Sequence, residues 1–124
     1  MITLPEKYRK EPTGFPFSPV LAVEGKQIVV TSGVVCEDYD NTIPETMEEQ
    51  ARKTILACEK FLRDAGCELT DVFNVEVFLA DMEQWDDFNR VYREMMPEPK
   101  PCRRALQVGL MPGFLVEIVM WAVQ

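Results

Sequence analysis

The clearest pattern in the chain is a helical stripe of apolar residues between Thr46 and Gly66. Apolar side chains recur there at steps of three or four positions, which places them on one face of a helix: Met47, Ala51, Ile55, Cys58, Leu62 and Ala65. Thr46 and Glu49 fit a capping box at the start, and Gly66 fits a C-terminal stop. The pattern predicts an amphipathic helix whose apolar face, including the Cys58 thiol, packs into a core.

A second helical stripe and several strand-like segments make up most of the remaining pattern. Trp85, Phe88, Tyr92 and Met95 predict a helix that begins near Asp81 and ends before Pro97. Segments rich in β-branched and aromatic residues predict strands over residues 17–23, 27–31, 72–80, 102–108 and 115–123. The Glu24-Gly25-Lys26 turn predicts that the first two strands pair as a hairpin. The last segment is apolar on both faces except at Glu117, which is typical of a central strand.

The order of these elements predicts a single α+β domain over residues 1–124, with a mixed sheet and two helices packed on one face. Residues 1–15 are polar and interrupted by proline, which favours an arm across the surface. The acidic segment 37–44 favours a loop. The chain has 124 residues and shows no internal repeat or linker. This length predicts one domain with a single hydrophobic core.

Composition and charge narrow the classes of function. Lys and Arg number 13 against 21 Asp and Glu, a formal net charge of -8, which argues against nucleic-acid or anionic-membrane partners but not against a small anion in a local basic pocket. The absence of histidine excludes mechanisms built on imidazole. With no C-x-x-C pair and no glycine-rich phosphate loop, the sequence predicts neither a metal nor a cofactor. Without a secretory signal or a long apolar run, a cytoplasmic location is predicted.

The chemical candidates that remain are arginine, thiol, hydroxyl and amide groups. Arg103 and Arg104 open a predicted strand, so one of them can face a cleft while the other faces solvent. A guanidinium suits a carboxylate ligand, although the local sequence favours surface charge for both. The Ser32-Gly33 pair either lets the backbone approach a ligand or simply ends a strand. The local pattern favours a solvated helix position for Asn89. Cys102 has either a thiol pKa lowered by Arg103 or, as the pattern favours, a packing role.

Several short motifs in a fixed order cover nearly the whole chain, from about residue 16 to 123. They are Pro16-Phe-Ser18, Val30-Thr-Ser-Gly33, Glu49-Gln-Ala51, Val77-Phe-Leu-Ala-Asp-Met82, Phe88-Asn-Arg-Val-Tyr92, Pro101-Cys-Arg103 and Leu115-Val-Glu-Ile118. In this order and spacing the set closely resembles the Rid family (reactive intermediate deaminase, also called YjgF/RidA).

The resemblance implies a chorismate-mutase-like fold and a homotrimer with ligand clefts between subunits. It implies hydrolysis of small 2-enamino and 2-imino acids to 2-keto acids and ammonium. The family's hallmark arginine falls on Arg103, which becomes the expected carboxylate clamp and catalytic residue. Ser32 and Gly33 border the expected cleft, the family's helix asparagine falls on Asn89, and backbone groups near Gly33 and Cys102 are expected to orient the ligand.

Two departures from the family pattern bear on the chemistry. Phe17 stands where a tyrosine is usual, so this side chain can stack but offers no hydroxyl. The last strand reads Val116-Glu117-Ile118-Val119, and the second glutamate of the deaminating subgroup, expected to position the attacking water, is a valine. Losing a general base typically costs 10²–10⁴-fold in rate.

Alternatives to the simple deaminase therefore stay open. One is a non-catalytic trimer that binds a small carboxylate for a regulatory purpose. Another is an enzyme for a larger substrate, with Phe17, Met120 and Trp121 reshaping the site, although core or interface repacking also explains these residues. The ribonuclease activity associated with the family name fits poorly with the acidic charge and the absent histidine.

Overall fold

A four-stranded mixed sheet with two long helices on one face forms the centre of the computed structural model, which describes all 124 residues. In chain order the elements are β1 (Ile2–Thr3), α1 (Glu6–Lys10), β2 (Ala22–Val23), β3 (Ile28–Val30), α2 (Glu37–Asp40), α3 (Met47–Asp64), β4 (Val72–Leu79), α4 (Trp85–Met95), β5 (Cys102–Gln107) and β6 (Val116–Val123), with 3-10 turns at Leu69–Asp71 and Met82–Gln84. The predicted α+β class is confirmed.

The sheet has the strand order β3-β6-β4-β5, in which β4 and β5 are parallel and the other pairs are antiparallel. The last strand, β6, is central, as its apolar sequence predicted. The helices α3 and α4 cover one face, where side chains such as Val75, Val77, Ile118 and Met120 are fully buried. None of the helices has the length and apolar character needed to cross a membrane.

The opposite face of the sheet has no helix over it. Strand alternation places Phe78, Val119 and Trp121 on this open face. At its edges Ile28 is 61% exposed, Val30 49% and Leu106 46%. The domain therefore presents a largely apolar sheet face to its surroundings, on which the charged residues Glu76, Arg104 and Glu117 also lie.

The long helix α3 has the ends that its sequence predicts. Thr46 Oγ accepts a hydrogen bond from the Glu49 backbone N–H at 3.3 Å, although the Glu49 side chain does not complete the box. Beyond the last turn, Gly66 adopts φ +85°, and the Cys67 N–H donates to Leu62 O at 2.8 Å. A left-handed residue is inexpensive only for glycine, so Gly66 ends the helix cleanly.

The predicted hairpin is wrong. Strand β2 pairs with β1, where Ile2 lies opposite Val23, and β3 pairs with β6. Proline at positions 16 and 19 cannot donate to a ladder, so only Ala22–Val23 remains a strand. The predicted arm contains β1 and α1, and the acidic loop contains the short helix α2.

Candidate functional site

Arg103 lies in a cage of aromatic rings beneath the surface. It is paired in register with Val75, so its side chain points toward the helix-covered face. The guanidinium carbon is 4.7 Å from the ring centre of Tyr92, 5.1 Å from Trp85, 5.6 Å from Phe88 and 6.0 Å from Phe17. These distances allow cation–π attraction to all four rings.

The Arg103 guanidinium has no anionic partner. Its Nη1 and Nη2 atoms are buried and make no hydrogen bond within the chain. Burial lowers the pKa of Arg103, and the nearby Arg93 charge lowers that pKa further, while Tyr92 acts in the opposite direction. A buried cation without a counter-charge is costly, and the chain itself supplies no anion to the Arg103 guanidinium.

Backbone contacts fix Phe17 over this guanidinium. The Ser18 N–H donates to Pro101 O at 3.1 Å, and the Ser18 hydroxyl donates to Lys100 O. Residues 17 and 18 therefore lie alongside the start of β5, next to Arg103. The Pro16-Phe-Ser18 and Pro101-Cys-Arg103 motifs are thus neighbours in space.

The helix α4 adds polar atoms to the same region. Asn89 is buried, and its Oδ1 makes no hydrogen bond, so its interpretation as a solvated helix position is wrong. The Tyr92 hydroxyl is also buried without a partner, and burial raises the pKa of Tyr92. Unsatisfied buried polar atoms are rare in folded proteins, and their clustering around Arg103 points to a ligand site.

The neighbours of Arg103 in sequence face the other way. Arg104 lies on the open face and forms an exposed ion pair with Glu76 at 2.8 Å, as expected for surface charge. Cys102 shares that face, opposite Asn74. Burial raises the pKa of the Cys102 thiol, which favours the packing role over a thiol activated by Arg103.

Ser32 and Gly33 lie at the far side of the sheet from Arg103. They follow β3, whereas Arg103 lies on β5, and β6 and β4 separate the two edges. Three strand spacings correspond to about 14 Å. The chain therefore brings Phe17, Asn89 and Arg103 together in one region, which we call the arginine half-site. The Cys102 side chain lies on the opposite face of the sheet, and Ser32 and Gly33 lie in another region.

The carboxylate of Glu117 lies against Gly33 and completes this second region, which we call the glutamate half-site. A Cβ atom at position 33 would lie 2.6 Å from Glu117 Oε2, so a larger residue there would displace the Glu117 carboxylate. Glu117 makes no hydrogen bond or ion pair within the chain. Sequence reasoning emphasised the lost glutamate at Val119, which lies opposite Glu76 instead. The signal that could have identified Glu117 is its position as the one charged residue in β6.

Comparison with known proteins agrees with these motifs. Residues 9–124 match the family model described as endoribonuclease L-PSP. Protein mmf2, mitochondrial, of Schizosaccharomyces pombe is 33% identical over 90% of this chain and 87% of its own length. The 3-aminoacrylate deaminase RutC of Acinetobacter baylyi is 35% identical over 87% and 89%. The structure of E. coli TdcF with bound serine superimposes with a TM-score of 0.73 at 26% identity, covering 82% of this chain and 84% of TdcF. The chain belongs to the endoribonuclease L-PSP family, which is the YjgF/Rid family.

Proposed function

We propose that this protein hydrolyses small 2-enamino and 2-imino acids to 2-keto acids and ammonium, in clefts between the subunits of a homotrimer. The observation that carries the proposal is the buried, unpartnered guanidinium of Arg103. A planar guanidinium binds a carboxylate through two parallel hydrogen bonds. The substrate carboxylate supplies the counter-charge that the folded chain lacks.

Two relatives support this substrate class. RutC is named as a deaminase of 3-aminoacrylate, a small 3-enamino acid, and the TdcF structure contains bound serine, a small molecule with a carboxylate. Both ligands carry the group that Arg103 is suited to bind. The hydrolysis that we propose for this chain requires no metal and no cofactor.

Assembly of three copies would join the two half-sites. The arginine half-site lies at the β5 edge of the sheet and the glutamate half-site at the β3 edge. The open apolar face between them is a surface that other copies would cover, because exposed apolar patches of this kind mark contact sites. In the proposed trimer, each cleft combines the β5 edge of one chain with the β3 edge of its neighbour.

Glu117 is the residue that we assign to water activation. The protonated imine (iminium) form of the substrate has an electrophilic carbon, and a water molecule held by Glu117 attacks it and transfers a proton to the carboxylate. The resulting carbinolamine takes that proton on nitrogen. Its C–N bond then breaks, and the hydroxyl proton of the carbinolamine passes to the departing ammonia, which leaves the 2-keto acid and ammonium. The valine at position 119 is compatible with this route, because the required carboxylate is two residues earlier.

The cytoplasmic location expected from the sequence stays a proposal. The relatives mmf1 and mmf2 carry a mitochondrial designation in their names, which does not support a cytoplasmic location.

Turnover of 2-aminoacrylate tests the proposed function. A pyridoxal-phosphate dehydratase generates this compound from serine, semicarbazide traps it competitively, and pyruvate release is followed with and without the protein. We expect acceleration by the wild type and its loss in Arg103→Lys, since an ammonium cannot reproduce the bidentate contact. Arg104→Lys is the matched control and is expected to remain active, because Arg104 points away from the cage.

The alternative role as a carboxylate-binding trimer has a distinct signature in the same experiment. It predicts that small keto acids bind in an Arg103-dependent way without any acceleration of pyruvate release. Full activity in Arg103→Lys would contradict both roles, because each depends on this guanidinium.

A further inference from the structure

An open cleft of about 580 Å³ lies just outside the aromatic cage of Arg103. Its lining includes an apolar wall of Phe15, Pro16, Phe17 and Trp85 and a polar rim of Asp86, Asn89, Arg90 and Arg93. Phe17 and Trp85 therefore have two roles: they contact the guanidinium, and they line this cleft.

Because the cleft and the cage share Phe17 and Trp85, a carboxylate that approaches Arg103 from the cleft passes these two rings. The other two cage rings, Phe88 and Tyr92, are fully buried in the core. The carbon chain attached to that carboxylate consequently extends back into the cleft. The residues that line the cleft then contact the substrate's side chain.

The wall of this cleft is aromatic and exposed. Phe15 is 61% exposed, and its ring stacks on Phe17 with 5.4 Å between centroids and 11° between planes. Covering this exposed ring removes apolar surface from water, which favours binding of an apolar group. A flat apolar group placed on Phe15 or Trp85 would gain this burial and extend the stack.

We propose that the cleft binds the substrate's side chain and selects 2-imino and 2-keto acids that carry an aromatic group. The inference rests on the proposed function, because Arg103 holds the carboxylate of such a ligand. Phe15 and Trp85 are the specificity-determining residues. Arg93, which has no ion-pair partner within the chain, lies at the rim, where it favours entry of an anion.

Calorimetric titration of the intact protein with pyruvate and with phenylpyruvate tests this assignment. We expect phenylpyruvate to bind at least tenfold more tightly than pyruvate. Phe15→Ala, at a ring that lines the cleft without contacting the guanidinium, should weaken phenylpyruvate binding by about tenfold and leave pyruvate binding unchanged. Tyr39→Ala, which removes an exposed ring from α2 outside the cleft, is the matched control and should change neither affinity.

The possible failures are distinguishable. Equal affinity for the two acids, or an equal loss of both in Phe15→Ala, would overturn the aromatic subsite while leaving the carboxylate clamp in place. Unchanged binding of both acids in Arg103→Lys would contradict the proposed function itself. Absence of binding of either acid to the wild type would overturn both.

Discussion

At the scale of single residues, the buried charge of Arg103 is electrostatically costly, and Arg103 is also the residue that the proposed reaction needs most. The effective penalty for a buried ion is several kcal/mol, whereas cation–π contacts return about 2 kcal/mol when desolvated. The fold therefore holds Arg103 at a net cost. Such a cost is common at functional sites, where stability is exchanged for affinity.

Replacing Arg103 by methionine should stabilise the protein while abolishing ligand binding. The apolar chain keeps the contacts with the four rings and removes the uncompensated charge, so we expect a gain of about 1–3 kcal/mol in the free energy of unfolding. Urea denaturation without ligand measures it. A loss of stability in Arg103→Met would show that the guanidinium is already paired in the assembled protein.

Substituting Glu117 by glutamine should separate chemistry from binding. The amide retains the shape beside Gly33 but cannot accept a proton from water. We expect the turnover number for 2-aminoacrylate to fall by about 10²–10⁴-fold, with pyruvate affinity little changed. Glu76→Gln, which alters the carboxylate opposite Val119, is the control and should retain activity. Activity that survives in Glu117→Gln would contradict the assignment of the water-activating carboxylate.

Residue roles were only partly predictable from the sequence. The local pattern around Arg103 favoured surface charge, because its burial depends on Phe17 and on α4, which are distant in sequence. The family motif assigned it a different role, and the buried cage supports that role. For the water-activating carboxylate, the family motif directed attention to position 119, which is valine here. The contact between the Glu117 carboxylate and Gly33, which follows the neighbouring strand β3, is the observation that favours Glu117 instead.

At the scale of elements, the spacing of apolar residues predicted the helices and strands that bury one continuous face. The predicted positions of α3, α4, β4, β5 and β6 agree with the structure to within a few residues. Pairing between strands was less predictable, because it depends on contacts between distant segments. The turn at residues 24–26 suggested a hairpin, whereas the N-terminal β1 pairs with β2 instead.

The Gln50 side chain joins α3 to the neighbouring loops through three hydrogen bonds. Its side chain donates to Pro44 O at 2.7 Å and to Gly113 O at 2.8 Å, and it accepts from the Leu115 N–H at 2.8 Å. Gln50→Leu leaves all three backbone groups unpaired, so we expect a loss of about 3 kcal/mol in unfolding free energy.

Urea denaturation measures this loss. The control is Arg52→Gln on the same helix, which removes an exposed ion pair with Glu94 and should cost less than about 1 kcal/mol. Equal stability of Gln50→Leu and the wild type would show that these bonds do not hold the loops.

At the scale of the whole molecule, the arginine and glutamate half-sites that we propose to form one site lie at opposite edges of the sheet. The strand order sets this separation, and the apolar open face lies between the halves. Neither property can be read from local sequence patterns, since each depends on which strand lies at which edge. The proposed trimer accounts for both, because it covers the apolar face and brings the arginine half-site of one copy to the glutamate half-site of the next.

A charge on the open face should dissociate the proposed trimer. Val30 lies on β3 opposite Trp121, and Val30→Lys would bury an unpaired ammonium in the interface. We expect sedimentation of this variant as a single chain and loss of turnover. Val23→Lys, on an exposed strand of the small sheet, should remain trimeric and active. A wild-type protein that sediments as one chain would contradict the assembly.

The most direct test of the composite site is to mix two inactive variants. Arg103→Lys keeps an intact glutamate half-site, and Glu117→Gln keeps an intact arginine half-site. In trimers reassembled from equal amounts of the two, about one quarter of the clefts should receive both intact halves, by random assortment around a threefold ring. We expect the reassembled mixture to recover about one quarter of the wild-type 2-aminoacrylate turnover. If the reassembled mixture is no more active than either variant alone, the two half-sites do not meet between subunits and the central claim is wrong.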